Sequence, residues 1–367
     1  MKAQNFNFNF NNGLLFHNGI QFSLIRVNSF LIILKEIIET EKPEFVKKIF
    51  RDSGKVDSYI LATKINKAKK SQIEKIRMYL EIMNSVGLGK FELKLITKNS
   101  LVIVLDKIFL TNKYYMIYNK KPEVMFAEIV AGFLEYFLKF LLKRETQCTY
   151  EKALGKRITF KINLGKKIKI ENLEQYQYPK IRKSSNINTL TTRIIINKNL
   201  KYDRDHLKLF NFYTIKLPFY WILSLFSFLD IKKYDEFFEI LGYSQAKSAI
   251  MIQKSVYGFN KINSSELFDL ICLQSEIIGL GKIEYDHDKH LIKINNNFKK
   301  YLKDGLIGVK LYDKYLYSLI RGAHKIIYNK DINIISLDKL NPISKEKKYN
   351  KEKEETIYEN INKNLFY

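Results

Sequence analysis

The chain has 367 residues, enough for two domains that each bury a core. Apolar residues make up 46% and aromatics 14%, which excludes a disordered chain, and two cysteines, Cys148 and Cys272, exclude a disulfide framework and point to a reducing, cytoplasmic setting. A formal net charge of +25 predicts association with a polyanion, whether nucleic acid, an acidic membrane surface or an acidic protein. A composition rich in Lys, Asn, Ile, Tyr and Phe together offers a plainer source for the same charge.

The chain opens with no basic region followed by an apolar core over Met1 to Phe10, so no signal peptide is expected. Phe6, Phe8 and Phe10 alternate with Asn, and Asn12-Gly13 and Asn18-Gly19 are hairpin signals. Val27 to Thr40 reads as an apolar helix, followed by a helical run over Glu44 to Lys67 interrupted near Gly54. In the next helix Ile73, Ile76, Leu80 and Met83 recur at three to four, which buries one face. Gly87 suits its C-terminal end, because glycine adopts the left-handed conformation without a Cβ clash. Strand-like segments follow at Phe91 to Leu95 and Leu101 to Leu105, then a long helix over Met125 to Leu142 and a last strand at Ile158 to Ile162.

Gly165 to Leu190 is rich in Lys, Asn, Ser and Gln and reads as a connector. The second half then repeats the order. Arg193 to Tyr213 is hairpin-like, and Pro218 suits the first turn of an apolar helix. Phe237 to Val256, carrying Gly242, and Leu267 to Ile277 are helical. Ile283 to Tyr285 and Leu291 to Ile294 are strands, Leu311 to Tyr328 is the final core helix, and the chain after Pro342 is a charged, mobile or helical tail. Two apolar runs need a membrane check. Met125 to Leu142 carries Glu128, Glu135 and Lys139, and Leu217 to Leu229 has 13 residues, short of the roughly 20 that cross a bilayer. Both read as core helices, so the chain is expected not to be transmembrane.

The parallel between the halves is literal at one turn. Val86-Gly87-Leu88-Gly89-Lys90-Phe91-Glu92 returns as Ile278-Gly279-Leu280-Gly281-Lys282-Ile283-Glu284, and 279 minus 87 gives an offset of 192. Ser71 with Glu74 and Asn263 with Glu266 read as capping boxes at the start of the preceding helices, and 263 minus 71 is again 192. A chance heptad would not bring its helix cap along. The fold class expected is therefore α+β, with two tandem copies of an antiparallel sheet packed against helices. The expected boundaries are 1–165, a connector at 166–190, a diverged second copy at 191–340 and a tail at 341–367.

This order of elements resembles the vinyl-4-reductase-type, hydrocarbon-binding domain, related to the small subunits of the TRAPP membrane-tethering complex. Gly87-Leu88-Gly89-Lys90-Phe91-Glu92 matches the family's glycine turn, Ala131-Gly132-Phe133 its small-residue patch, and Glu145-Thr146-Gln147-Cys148, Gly155 and Phe160 part of its terminal segment. The second cysteine position of that segment holds Ile158 or Thr159, and in the second copy Ala323-His324-Lys325 stands where Glu-x-x-Cys would. The resemblance implies a pocket for a small apolar molecule and a tendency to dimerise, here as a homo-oligomer or as a pseudo-dimer between the halves.

Candidate chemistry is sparse. The glycine turns follow helices and precede strands, the reverse of a dinucleotide loop, and lack Walker spacing. His287 and His290 flank a turn, and no metal site, catalytic constellation or cofactor is expected. The aromatic helices are richer: Phe126, Phe133, Tyr136, Phe137 and Phe140 on one, Phe219, Tyr220, Trp221, Phe226 and Phe228 on another, read as core or as the wall of an apolar pocket. Phe126, Phe133, Phe137, Glu145 and Cys148 are the candidate ligand-binding residues. Glu128 and Glu135 lie two turns apart and read as a solvent stripe.

The expected function is a non-enzymatic sensor or scaffold that binds a small hydrophobic ligand. The alternative is a basic nucleic-acid-binding regulator with Lys67, Lys69 and Lys70 on phosphates. Glu266, Asp269 and Glu276 in the matching second-copy helix weigh against a shared groove-binding role.

Overall fold

A computed structural model describes residues 8–11, 14–17, 20–106, 109–121, 126–153, 157–170, 173, 200–203, 206–209, 212–257, 263–277, 280, 282–286, 291–295, 308–330, 333–336 and 351–362. The architecture is mixed α+β. The chain forms two compact units, and each draws on both halves of the sequence. Among the described residues, the first comprises those within 25–177 and 199–225, and the second those within 4–24 and 226–367.

In the first unit, α1 (Val27–Thr40) is buried at each of its first eight positions, so it is a core helix and not a half-wet amphipath. α2 (Pro43–Asp52) starts on a proline, whose missing N–H and fixed φ suit a first turn. Ser53 and Gly54 break the run before α3 (Lys55–Asn66). The expected capping box of α4 (Gln72–Asn84) is complete: Glu74 N donates to Ser71 Oγ at 3.3 Å and Ser71 N to Glu74 Oε2 at 2.8 Å. Gly87 (φ +91°) and Gly89 (φ +143°) then turn the chain into β4 (Lys90–Ile96). β5 (Ser100–Asp106), α5 (Phe109–Tyr118), α6 (Ala127–Leu142), β6 (Arg144–Ala153) and β7 (Arg157–Lys167) follow. The sheet order is β4-β5-β7-β6, antiparallel throughout, with Ile103 opposite Phe160 and Cys148 opposite Ile162.

Segments from beyond the connector complete this unit. β8 (Leu200–Asp203), β9 (His206–Leu209) and β10 (Phe212–Pro218) form an antiparallel set leading into α7 (Phe219–Ser227). Pro218 therefore closes the strand, and the helix begins one residue later than expected. Lys216 N donates to Val86 O at 3.0 Å. A Cβ on Gly87 would lie 3.1 Å from Leu207 Cβ, so the glycine is needed for both its φ and this approach.

The second unit contains β1 (Phe8–Asn11), β2 (Leu14–His17) and most of β3 (Ile20–Arg26), paired antiparallel in sequence, Phe10 opposite Leu15 and Leu15 opposite Phe22; the Asn12-Gly13 and Asn18-Gly19 signals lie outside the described residues. α8 (Ile231–Tyr257) runs unbroken through Gly242, whereas the helical run of the first unit breaks at Ser53 and Gly54. α9 (Ser264–Ile277) carries the other capping box, Glu266 N to Asn263 Oδ1 at 2.8 Å and Asn263 N to Glu266 Oε2 at 3.3 Å. β11 (Lys282–Asp286) pairs antiparallel with β12 (Leu291–Asn295). After α10 (Gly308–Tyr328), β13 (Asn333–Ser336) joins β12 in parallel, because a helix carries the chain back before it pairs. α11 (Lys351–Asn362) gives the helical of the two alternatives for the tail. It docks on α8 through buried Ile357 and Ile361 and a 2.7 Å hydrogen bond from Ser248 Oγ to Asn362 Oδ1. No described helix is long and apolar enough to cross a membrane.

Both units rely on glycine where helices meet. A Cβ on Gly132 of α6 would lie 2.4 Å from Arg51 O and 2.5 Å from Arg51 Cα, and one on Gly242 of α8 would lie 2.4 Å from Tyr315 O. Backbone cannot retreat as a flexible side chain can. Gly132→Ala and Gly242→Ala are each expected to lower unfolding free energy by about 1–3 kcal/mol through overpacking. An unchanged urea midpoint for either variant would show that its helix pair is not held at this distance.

Candidate functional site

Glu128, Gly132 and Glu135 occupy positions i−4, i and i+3 of α6 and therefore share one face. Gly132 lets that face touch the backbone of Arg51, and the guanidinium reaches both acids. Arg51 Nε lies 2.6 Å from Glu128 Oε2, and Nη1 lies 3.4 Å from Glu135 Oε2. Tyr150 on β6 donates to Glu128 Oε1 at 2.9 Å, and Cys148 N donates to Glu135 Oε2 at 2.9 Å. The expected solvent stripe is thus corrected: Glu128 is 7% exposed and ion-paired. Sequence spacing gave the shared face correctly, but the partner that lets it turn inward comes from α2.

Burial opposes the charge on Arg51, yet hydrogen bonding and attraction from Glu128, with Glu135, outweigh it and hold its pKa above the ordinary value. Burial, and then the Glu135 carboxylate, push the Cys148 thiol up to about 12. A thiol so placed stays protonated at neutral pH and is a poor nucleophile. Among the described residues no cluster of His, Cys, Asp and Glu could hold a metal ion.

The candidate aromatics are all buried, and each meets a different ring. Phe137 stacks on Tyr79 with centroids 3.6 Å apart, Phe126 meets Tyr114 edge-on at 5.5 Å, and Phe133 lies 6.3 Å from Trp221. Trp221 also meets Phe30 of α1 at 5.5 Å. Tyr79 Oη and Trp221 Nε1 are buried with no hydrogen-bond partner among the described residues. Burial pushes the Tyr79 hydroxyl well above its ordinary pKa, so it remains a donor. Neither Tyr79 nor its role was marked by the sequence, where it is one aromatic among many.

Glu145 and Cys148 part company. They are three residues apart on β6, which places them on opposite faces; Cys148 is inside, whereas Glu145 is exposed and pairs with Lys166 at 3.6 Å. Lys67, Lys69 and Lys70 are exposed in the α3–α4 link, away from these groups in environment. Gly279, Gly281, His287 and His290 lie outside the described residues.

A buried cation stands where no sequence pattern points to one. Lys216 on β10 is fully buried, with Nζ 2.6 Å from Ser85 Oγ. The only sequence signal was comparative: 216 minus 192 is 24, where Leu24 stands. Burial pulls the Lys216 amine down to about 7.

The second unit builds different polar groups on comparable elements. Lys314 of α10 sits 3.2 Å from Asp235 and 2.7 Å from Glu239 of α8, so the cation and the acids have exchanged helices. His324, fully buried, has Nδ1 2.9 Å from Lys330 O and Nε2 3.1 Å from Tyr285 Oη. A carbonyl only accepts, so Nδ1 carries the proton and Nε2 accepts from the tyrosine. Phe268 and Tyr328 pack edge-on and tilted against the imidazole.

Two measurements test these assignments. Arg51→Met leaves two carboxylates without their cation; because Arg51 keeps some solvent contact, the expected loss is roughly 2 kcal/mol, below that of a fully buried pair. Glu128→Gln and Glu135→Gln added to Arg51→Met should recover most of it in urea unfolding; no recovery would mean that Arg51 acts by packing. For Lys216, the unfolded chain holds a proton between pH about 7 and 10.5 that the folded chain has released. Stability therefore rises with pH across that window, and below it the full desolvation cost is carried. Lys216→Met should flatten that rise and stabilise the neutral-pH protein; an unchanged slope would show that the amine titrates normally.

No family model matches the chain, and no curated protein matches it in sequence. Part of the chain is similar in structure to a trafficking protein particle complex subunit 3 from Naegleria fowleri, solved covalently bound to palmitic acid. The TM-score is 0.30 and the identity 12%, over 39% of this chain and 98% of that one. The vinyl-4-reductase side of the expected resemblance is not shown by these comparisons.

Proposed function

We propose that the protein is a non-enzymatic scaffold or sensor whose first unit takes a small apolar ligand with a hydrogen-bond-accepting end. One observation carries this reading: two buried donors, Tyr79 Oη and Trp221 Nε1, have no hydrogen-bond partner among the described residues in the aromatic core against α6. Leaving a buried donor unmet costs about 1–3 kcal/mol each, and such groups are uncommon enough to require a reason. Ligand sites are mostly apolar with a few polar anchors, which is the composition here. The nearby ionisable groups engage one another: Arg51 bridges Glu128 and Glu135, and Cys148 stays protonated. That supports binding over acid–base or nucleophilic chemistry. The matching turns and caps at the 192-residue offset support two related domains in one chain, an arrangement suited to pairing within the molecule or with a second copy.

Native mass spectrometry and solvent extraction of the purified full-length chain test the proposal. A bound apolar molecule is expected, and Tyr79→Phe should weaken its retention about fivefold, the value of one lost hydrogen bond. A chain that carries no such molecule, and gains none from a mixture of fatty acids, would end the ligand reading.

A further inference from the structure

One end of the first unit's sheet is both cationic and apolar. Arg144 gathers three backbone carbonyls there: Nε donates to Gly165 O at 2.7 Å, Nη1 to Lys98 O at 3.0 Å and Nη2 to Leu164 O at 3.2 Å. Leu164 N also donates to Asn99 O, and Ile168 N to Lys143 O. The β4–β5 turn and the adjoining ends of β6 and β7 are thereby tied into one surface.

Carbonyl partners leave the charge of Arg144 uncancelled. Lys98, Lys143, Lys167 and Lys169 are exposed on the same end and have no carboxylate partner among the described residues. Among the described residues Glu145 is the acid at this end, and it pairs with Lys166 at 3.6 Å. Lys94, closer along β4, is already matched by Glu92.

Amid these cations, the last two residues of β4 are aliphatic and exposed. Leu95 is 51% and Ile96 37% exposed, beside the register shift between Leu93 and Leu95. Their cross-strand partners are Val102 and Leu101, which places them directly before the Thr97–Ser100 turn that Arg144 holds. A bulged, lysine-flanked edge is a usual defence against strand pairing, but that defence calls for charge and not for two exposed aliphatics.

We propose that this end of the sheet docks on an anionic phospholipid membrane. Leu95 and Ile96 enter the headgroup boundary, and the surrounding lysines meet lipid phosphates. Basic residues at an acidic bilayer each contribute roughly a fivefold gain in partitioning, and aliphatic side chains add to it by leaving water. Nucleic acid would use the same lysines but provide no place for the two aliphatics, since single strands reward aromatic stacking. This surface is separate from the aromatic core assigned to the apolar ligand, and its test does not depend on that assignment.

Flotation of the full-length protein with vesicles decides the matter. Binding is expected to phosphatidylcholine vesicles containing phosphatidylserine, to fall steeply with salt, and to be weak on phosphatidylcholine alone. Leu95→Ser with Ile96→Ser should reduce binding about tenfold at constant charge, and Lys98→Gln with Lys167→Gln about twentyfold at low salt. Thermal melting of both variants controls for folding, and these exposed positions should leave it unchanged. Equal binding to both kinds of vesicle, or binding that neither variant weakens, would overturn the proposal. So would tight duplex DNA binding that the lysine variant abolishes and the aliphatic variant leaves intact.

Discussion

The approach of α6 to the backbone of Arg51 governs the first unit. It exists because Gly132 lacks a Cβ, which would otherwise sit 2.4 Å from a carbonyl oxygen. At that distance the residues one turn either side of Gly132 look across at α2 and not at solvent. Glu128 and Glu135 then need a cation, and Arg51 supplies it. The same seat sets α6 against Tyr79 and Trp221 through Phe137 and Phe133. One missing methyl group thus determines where the acids, the thiol and the aromatic core lie.

Charge is handled differently at each depth of this molecule. At half-buried positions Arg51 and Lys314 each sit between two acids, and in the interior burial alone pulls the Lys216 amine down to about 7. At the surface, part of the chain's positive excess, Lys98, Lys143, Lys167 and Lys169 at one end of a sheet, has no carboxylate partner among the described residues. Interior ion pairs repay desolvation only when geometry and hydrogen bonds are both favourable, which the Arg51 cluster achieves through Tyr150 and the Cys148 amide. Exposed cations face no such requirement and remain available to a partner.

Much of the local architecture was legible. The pairing of β1 with β2 and of β2 with β3, the capping boxes at Ser71 and Asn263, the break near Gly54 and the boundaries of α1 rest on interactions within a few residues. α5, β6 and β13 were not foreseen. α5 has weak amphipathic patterning, β6 is polar on its outer face, and the four-residue β13 owes its place to β12. For the candidate site, the burial of Phe126, Phe133, Phe137 and Cys148 was within reach of hydrophobic pattern, whereas the exposure of Glu145 follows from strand alternation in an element that had not been recognised.

By itself, then, the sequence determined the elements, their caps and the parallel between the halves, because each depends on contacts short enough to be written in neighbouring residues. Only the tertiary structure decided which unit each hairpin joins, that Glu128 turns inward, that Lys216 is buried against Ser85, and that Leu95 and Ile96 stand among lysines. The groups concerned are as many as 131 positions apart. No periodicity reports a contact over such a distance, and the packing that creates it depends on backbone approach more than on residue type.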